Sequence, residues 1–378
     1  MDDGHAGPRD GATLSGMDGR LVALAAADCG LVTVPTAQRA GIPRAVLRWA
    51  HERGELTRLR SGIWCPTPLW ESLGLRGRHR LAVAAAQRKR PRGVAVAQSA
   101  AVLLGLPLPD DPPLAPLLLE PRDADRRGGD GGPAALARRA WLDPDEVWVL
   151  PDGLRVTAPA RTVVDLARHL ELPWALAAAD VARSRWRATT RRLLEAAARN
   201  PCAPGHPAAV LVAKEADPRS ESPLESVARG VMIMLGLPRA QPQAWVRCVR
   251  RRYRVDLRVE ECWTVVEADG KVKYRDPDEP GEQDWLDKRR RDDLHDTGYE
   301  VVRFVAADAH HPHAWGRRCV RAFERAHERR GLRYQGSRPD CCEYGLNRPE
   351  SQPLRPRTLS VGRGCARGPR CAAVTAGR

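Results

Sequence analysis

In the stretch YRVDLRV, residues 253–259, apolar and charged side chains alternate without a break. Successive side chains of a β-strand point to opposite faces, so a period of two describes a strand with one buried and one open face. Tyr253, Val255, Leu257 and Val259 supply the buried face, and Asp256 stands on the other with Arg254 and Arg258. Such a strand needs partners and a cover for its apolar side. The neighbouring sequence provides both. QAWVRCV before it and CWTVVEAD after it read as strands. SPLESVARGVMIMLGL reads as a helix, with Ser222 as N-cap, Pro223 at the first helical position and Gly236 closing it. EQDWLDKRRRDDLHDTG, YEVVRFV and AWGRRCVRAFERAHERRG add a charged helix, a strand and an amphipathic helix, the last with Trp315, Cys319, Phe323 and Ala326 on one side. The order predicted over about 218–330 is α-β-β-β-α-β-α.

In VVEADGKVKY, residues 265–274, Glu267, Asp269 and Lys271 occupy alternate positions and so share one face. If the third strand begins directly after Glu260 and Glu261, the turn sets Asp256 opposite Val265. Glu267 is then its diagonal neighbour on the same face, roughly 7–8 Å away. Two carboxylates at that reach can share one divalent cation. Mg²⁺ takes hard oxygen ligands, commonly one or two carboxylates with water and phosphate oxygens. In such a site it activates water and offsets charge on a scissile phosphate. Lys271 would hold a phosphate oxygen or orient the water. The plainer alternative is a solvated edge, with Asp256 in a surface ion pair and Glu225, three residues after Ser222, completing a capping box.

The α-β-β-β-α-β order, with an Asp on the second strand and E-x-x-x-K on the third, resembles the PD-(D/E)xK nuclease fold. SPLES, YRVDL, VVEADGKVKY, KRRRDDL and GYEVVRF are similar to a family of bacterial domains related to very-short-patch-repair endonucleases, over about 218–325. The resemblance implies catalytic roles for Glu225, Asp256, Glu267, Asp269 and Lys271, with Asp256 and Glu267 as Mg²⁺ ligands. It implies a DNA contact at Arg289 on the following helix, beside Asp292. One position departs from the family pattern: the motif lysine belongs two residues after the acid, where this chain has Asp269. Two alternatives stay open, a domain that cuts DNA with Mg²⁺ and a domain that only grips it.

Residues 20–66 carry a different pattern. Leu21, Leu24 and Ala25 have helical spacing that ends at Gly30, and Pro35 opens a short second helix. After a turn at Gly41, Pro43 takes the first position of a helix that runs to Arg53 and stops at Gly54, burying Val46, Leu47 and Ala50. ELTRL and GIWC follow as two strands. Helix, helix, turn, helix and β-ribbon is the pattern of a winged helix-turn-helix. Arg44, Arg48 and His51 lie on the polar side of its recognition helix, and Arg58 and Arg60 lie on the wing, within reach of phosphate or minor groove. The stretch GLVTVPTAQRAGIPRAVLRWAHERGELTRLRSGIW resembles the N-terminal winged helix of AbiEi-type antitoxins of type IV toxin–antitoxin systems. VTAPARTVVDLAR and ALAAADVAR resemble that family's extension. The resemblance implies binding of double-stranded DNA, repression of its own operon and a toxin partner. The alternative is a winged helix used as a protein-interaction module.

The whole reads as an α+β multi-domain protein: winged helix-turn-helix at 20–66, an α/β AbiEi-like middle domain at 78–200, and the nuclease-like domain at 218–330. NPCAPGHP, residues 200–207, reads as a linker, and 1–19 and 332–378 read as disordered. The 378 residues carry a net charge of +15, which favours a polyanionic partner, nucleic acid first. Residues 332–378 hold nine Arg against three acids and so supply +6 of it, which leaves the rest moderately basic. Ten cysteines without a CxxC pair argue against structural zinc. There is neither a signal-peptide pattern nor an apolar run of membrane-spanning length, so a cytoplasmic protein with no membrane partner is expected.

Overall fold

The computed structural model describes residues 18–112, 115–121, 138–140, 142–249, 251–270 and 282–336. Lys271, the Gly-rich stretch after Pro121 and nearly all of both expected disordered ends lie outside these residues. The chain is a mixed α+β protein with three sheets among the described residues, divided into two compact units, Met1–Ala158 and Pro159–Arg378.

The first unit opens with α1 (Gly19–Ala27), β1 (Val32–Thr33), α2 (Val34–Arg39), α3 (Arg44–Glu52), β2 (Leu56–Arg60) and β3 (Ile63–Pro66). Asp18 caps α1 by accepting from the Arg20 N–H. Thr33 and Thr36 cap α2 reciprocally. Pro43 is the N-cap of α3, one residue earlier than the sequence placed it, so its extended backbone feeds the helix from outside. The strands pair in the order β1-β3-β2, and the two-residue β1 is too short to show a period. Leu21, Ala25, Ile42, Leu47, Leu56 and Trp64 form the core that holds α3 against the ribbon.

The unit continues with α4 (Thr67–Ser72), α5 (Leu75–Lys89), β4 (Val94–Ala95), α6 (Ala97–Leu104), β5 (Leu118–Pro121), β6 (Arg138–Ala140), β7 (Val147–Val149) and β8 (Arg155–Thr157). These strands make a mixed sheet in the order β6-β5-β4-β8-β7. Two buried polar side chains are satisfied in place. Ser99 Oγ accepts from the Leu117 N–H and meets His79 Nε2, while the Gln87 amide pairs with both main-chain groups of Arg155.

The second unit begins with α7 (Pro159–Ala167), α8 (Leu172–Trp186), α9 (Thr190–Ala198) and α10 (His206–Glu215). The segment expected as one middle domain, 78–200, is therefore split, its strands in one unit and its last three helices in the other. Nor is 200–207 a linker. Gly205 adopts φ +76°, and a Cβ there would lie 2.7 Å from Arg168 Cα, so the turn between α9 and α10 is packed against the end of α7.

Then come α11 (Pro223–Met234), β9 (Gln241–Arg247), β10 (Arg252–Val259), β11 (Thr264–Asp269), α12 (Glu282–Asp296), β12 (Glu300–Val305) and α13 (Pro312–Glu328), in the predicted order. The sheet runs β12-β11-β10-β9, antiparallel except for β11 and β12, which are parallel across the α12 crossover. Leu257, Val259, Val266, Val302 and Phe304 meet Val227 and Val231 of α11 and Trp315, Cys319 and Phe323 of α13. Val265 packs with Leu294 of α12. Gly230 lets α11 approach α8, where a Cβ would fall 2.5 Å from Pro173 Cα. The thiols in these cores are inert: burial pushes Cys65 and Cys262 each up to about 12.

Candidate nucleic-acid interface and carboxylate row

On α3 the buried stripe is Leu47 and Ala50, and the opposite side carries Arg44, Arg48 and Trp49 in solvent. Arg48 lies 3.7 Å from Glu52, an exposed i,i+4 pair of small energetic weight. His51 is exposed, and its Nδ1 is 2.8 Å from the Leu56 carbonyl, so the ring braces α3 against the first strand of the ribbon. Arg58 projects from β2 into solvent, whereas Arg60 is half-buried, and burial followed by the nearby Arg90 lowers its pKa. Trp49 is 65% exposed and was not singled out by the sequence reading. Its angle on the helix, away from Leu47, was the available signal.

In the second unit the observed pairs are Leu257↔Val266, Arg258↔Val265 and Val259↔Thr264. Asp256 and Glu267 fall at the next step, level with each other. The expected pairing of Asp256 with Val265 is thus off by two residues. Between the strands lie a short 3₁₀ turn, Glu260–Cys262, and Trp263 at φ +43°, a longer connection than the sequence suggested. A slip of two keeps every side chain on its expected face. It brings the two acids closer than the diagonal would have. Asp256 Oδ2 accepts from the Ala268 N–H at 2.9 Å. Burial raises the Asp256 pKa, the Ala268 hydrogen bond opposes this, and the charges of Glu267 and Glu221 push the same way as burial.

Glu267 Oε1 is buried and lies 3.2 Å from an Arg290 nitrogen without hydrogen-bond geometry. The same guanidinium donates to the Arg254 carbonyl. On its other side, Glu267 is level with Arg303 of β12. Gln243 sits between the β9–β10 pairs that flank Asp256, at φ +53°, and donates through Nε2 to Glu225 Oε2 at 2.7 Å. That oxygen also accepts from the Glu221 N–H at 3.0 Å, while the Glu225 N–H donates to Ser222 Oγ. Half of the expected capping box is made, and the Glu225 carboxylate turns to Glu221 and Gln243 instead. Burial raises the Glu225 pKa, and the charge of Asp256 adds to it.

Glu225, Asp256 and Glu267 therefore come together. Asp269 follows on the same face as Glu267, exposed at the end of β11. Arg289 stacks on Trp285, its guanidinium carbon 5.4 Å from the ring centre. Gln243, Arg290 and Arg303 were missed, because their relation to the acids depends on register and on the crossover helix. Two level, partly buried carboxylates with an oxygen lacking a hydrogen bond fit a hard cation that fills its shell with water or phosphate. Among the described residues no three His, Cys, Asp or Glu side chains converge as a metal cage.

The second turn of α11 is held by a buried ion pair. Arg229 donates to both Asp180 oxygens, at 3.0 and 2.7 Å, and to the Glu215 carbonyl at 2.7 Å. Asp180 also accepts from the Asp217 N–H and the Ser220 hydroxyl. Arg229 lies one turn beyond Glu225, so this network fixes where Glu225 emerges.

Among the described residues no helix is long and apolar enough to cross a membrane. The chain is 32% identical over 176 residues to two uncharacterized proteins of Mycobacterium tuberculosis, from strains CDC 1551 / Oshkosh and ATCC 25618 / H37Rv. The alignment covers 46% of this chain and 64% of each relative, so the chain spans a little under two thirds of the curated relatives it matches. Residues 20–67 match the family described as transcriptional regulator, AbiEi antitoxin, and α1 to β3 are therefore an AbiEi antitoxin-family domain.

Proposed function

We propose that the chain is a DNA-binding transcriptional regulator of the antitoxin kind, acting on double-stranded DNA and paired with a toxin. In this reading α1 to β3 form a winged helix-turn-helix, α3 enters the major groove, and the β2–β3 ribbon is the wing. The observation that carries it is the coincidence of the family match with a helix that turns Arg44, Arg48 and Trp49 outward. Arg44 and Arg48 contact phosphate or guanine edges, Arg58 reaches the flanking backbone, and His51 braces the helix. The test is a reporter driven by the DNA upstream of the gene. Wild-type protein lowers expression and the Arg44→Ala, Arg48→Ala double variant restores it; equal expression with both counts against the reading.

A second reading is favoured by the level pair Asp256 and Glu267 with Glu225 beside it. Here residues 218–330 are a PD-(D/E)xK-like domain related to very-short-patch-repair endonucleases, and the chain hydrolyses phosphodiesters. Asp256 and Glu267 would hold Mg²⁺, which when bound supplies Lewis acidity and an activated water. The protein's own part is positional. The Ala268 N–H orients Asp256, Gln243 and Ser222 hold Glu225, and Arg290 balances Glu267 in the absence of substrate. Asp269 and Lys271 would act at the phosphate and Arg289 on flanking DNA. Supercoiled plasmid incubated with Mg²⁺, Mn²⁺ or EDTA separates the readings. Metal-dependent nicking that disappears in Asp256→Ala with Glu267→Ala supports hydrolysis, and intact plasmid with every metal leaves the regulator alone.

A further inference from the structure

We propose that the arginine-lined groove between β12 and α13 is a track for the phosphates of a nucleic-acid strand, an inference that rests on the DNA-binding reading above. The groove, of about 330 Å³, is lined by Val301, Val302, Arg303, Arg318, Arg321 and Arg325. β12 is the edge strand of its sheet. Arg318, Arg321 and Arg325 follow the i, i+3, i+7 stripe of α13, so three cations line up along that edge.

Two of the four arginines are held in place. Arg318 donates to Asp308 Oδ1 and Oδ2 at 3.0 and 2.9 Å and to the Arg303 carbonyl at 3.1 Å. Arg325 donates twice to Glu300 Oε2, at 3.0 and 2.8 Å, and Arg329 shares that carboxylate. Among the described residues no carboxylate pairs with Arg303 or Arg321, so the groove keeps an excess of positive charge. Like charges crowded along one groove repel, and an anion relieves this. Guanidinium forks match phosphate oxygens in pairs. The seven residue steps from Arg318 to Arg325 span about 10 Å of helix, close to three nucleotides at roughly 3.4 Å each. Val301 and Val302 are the only apolar lining, which suits a backbone of phosphates better than a peptide that needs an apolar anchor. Arg303 is level with Glu267 on the adjacent strand, about 4.8 Å away.

The test uses full-length protein, a fluorescent duplex of arbitrary sequence and anisotropy titrations across salt. Arg303→Glu with Arg321→Glu removes the two cations that have no carboxylate to strand. The expected result is at least a tenfold loss of affinity at about 0.1 M salt and a salt slope shallower by about two. Arg303→Ala with Arg321→Ala should move the slope the same way and serves if charge reversal unfolds the unit. Unchanged affinity and slope in the groove variants, with binding lost in Arg44→Ala, Arg48→Ala, would overturn the track and leave the recognition helix standing. Wild-type protein that binds no duplex at any salt would remove both. Poly-glutamate binding lost in the groove variants, with DNA binding intact, would assign the groove to an acidic protein and overturn the proposal.

Discussion

Replacing Asp180 by Ala strikes the best-buried charge pair among the described residues. Its side chain is 1% exposed and that of Arg229 6%. The substitution leaves the Arg229 guanidinium in the interior with only the Glu215 carbonyl, and strips the Asp217 N–H and Ser220 hydroxyl of their acceptor. Losing one partner of a buried pair costs about 3–5 kcal/mol, because the surviving charge is stranded. For a unit of this size each kcal/mol moves Tm by about 2–4 °C, so the second unit should melt roughly 6–20 °C lower. Urea unfolding followed by tryptophan fluorescence and circular dichroism measures the cost directly. The companion variant carries Asp180→Leu and Arg229→Met. It replaces the pair by apolar groups of similar bulk and should recover most of the loss. A cost below about 1 kcal/mol for Asp180→Ala, or a double variant no more stable than the single, would refute this account of what holds α11.

Other outcomes follow from the same geometry. Asp256 and Glu225 are held above the ordinary carboxylate range, so folding favours their protonated forms. The stability they contribute is complete below about pH 4 and is lost as pH rises through the raised values. Asp256→Asn should therefore flatten the fall in Tm of the second unit as pH rises above about 4; an unchanged curve speaks against the crowded acids. Gly230→Ala should destabilise by about 1–3 kcal/mol, since the added methyl meets the Pro173 backbone, and a neutral effect in urea titration would show that α8 yields. If Asp256 and Glu267 bind Mg²⁺, millimolar metal should raise Tm in wild type but not in Asp256→Asn with Glu267→Gln. Equal shifts in both proteins would place the metal elsewhere.

Strand identity in the second unit was legible because alternation survives burial on one side, as YRVDLRV shows. The order of the elements and the faces of Asp256 and Glu267 came from that pattern. Register did not, because Trp263 enters a left-handed turn that no glycine advertised. The arginine stripe on α13 was visible as an amphipathic helix, but that Asp308 and Glu300 hold two of its members required the tertiary structure. Asp180 looked like one acid in an alanine-rich helix, and Arg229 like one arginine among many. Their pairing depends on α8 and α11 crossing at Gly230. The unit boundary at Ala158/Pro159 was hidden for a related reason: the proline reads as a helix start, and only packing shows which neighbours that helix keeps.

The central claim is that α3 reads DNA. Its most direct measurement is fluorescence anisotropy of a duplex from the gene's own upstream region, titrated with wild-type protein and with Arg44→Ala, Arg48→Ala. Binding that weakens at least tenfold in the variant, with a salt slope shallower by up to about two, is the predicted result. Equal affinity and slope for the two proteins would contradict it and make α1 to β3 a surface for another protein.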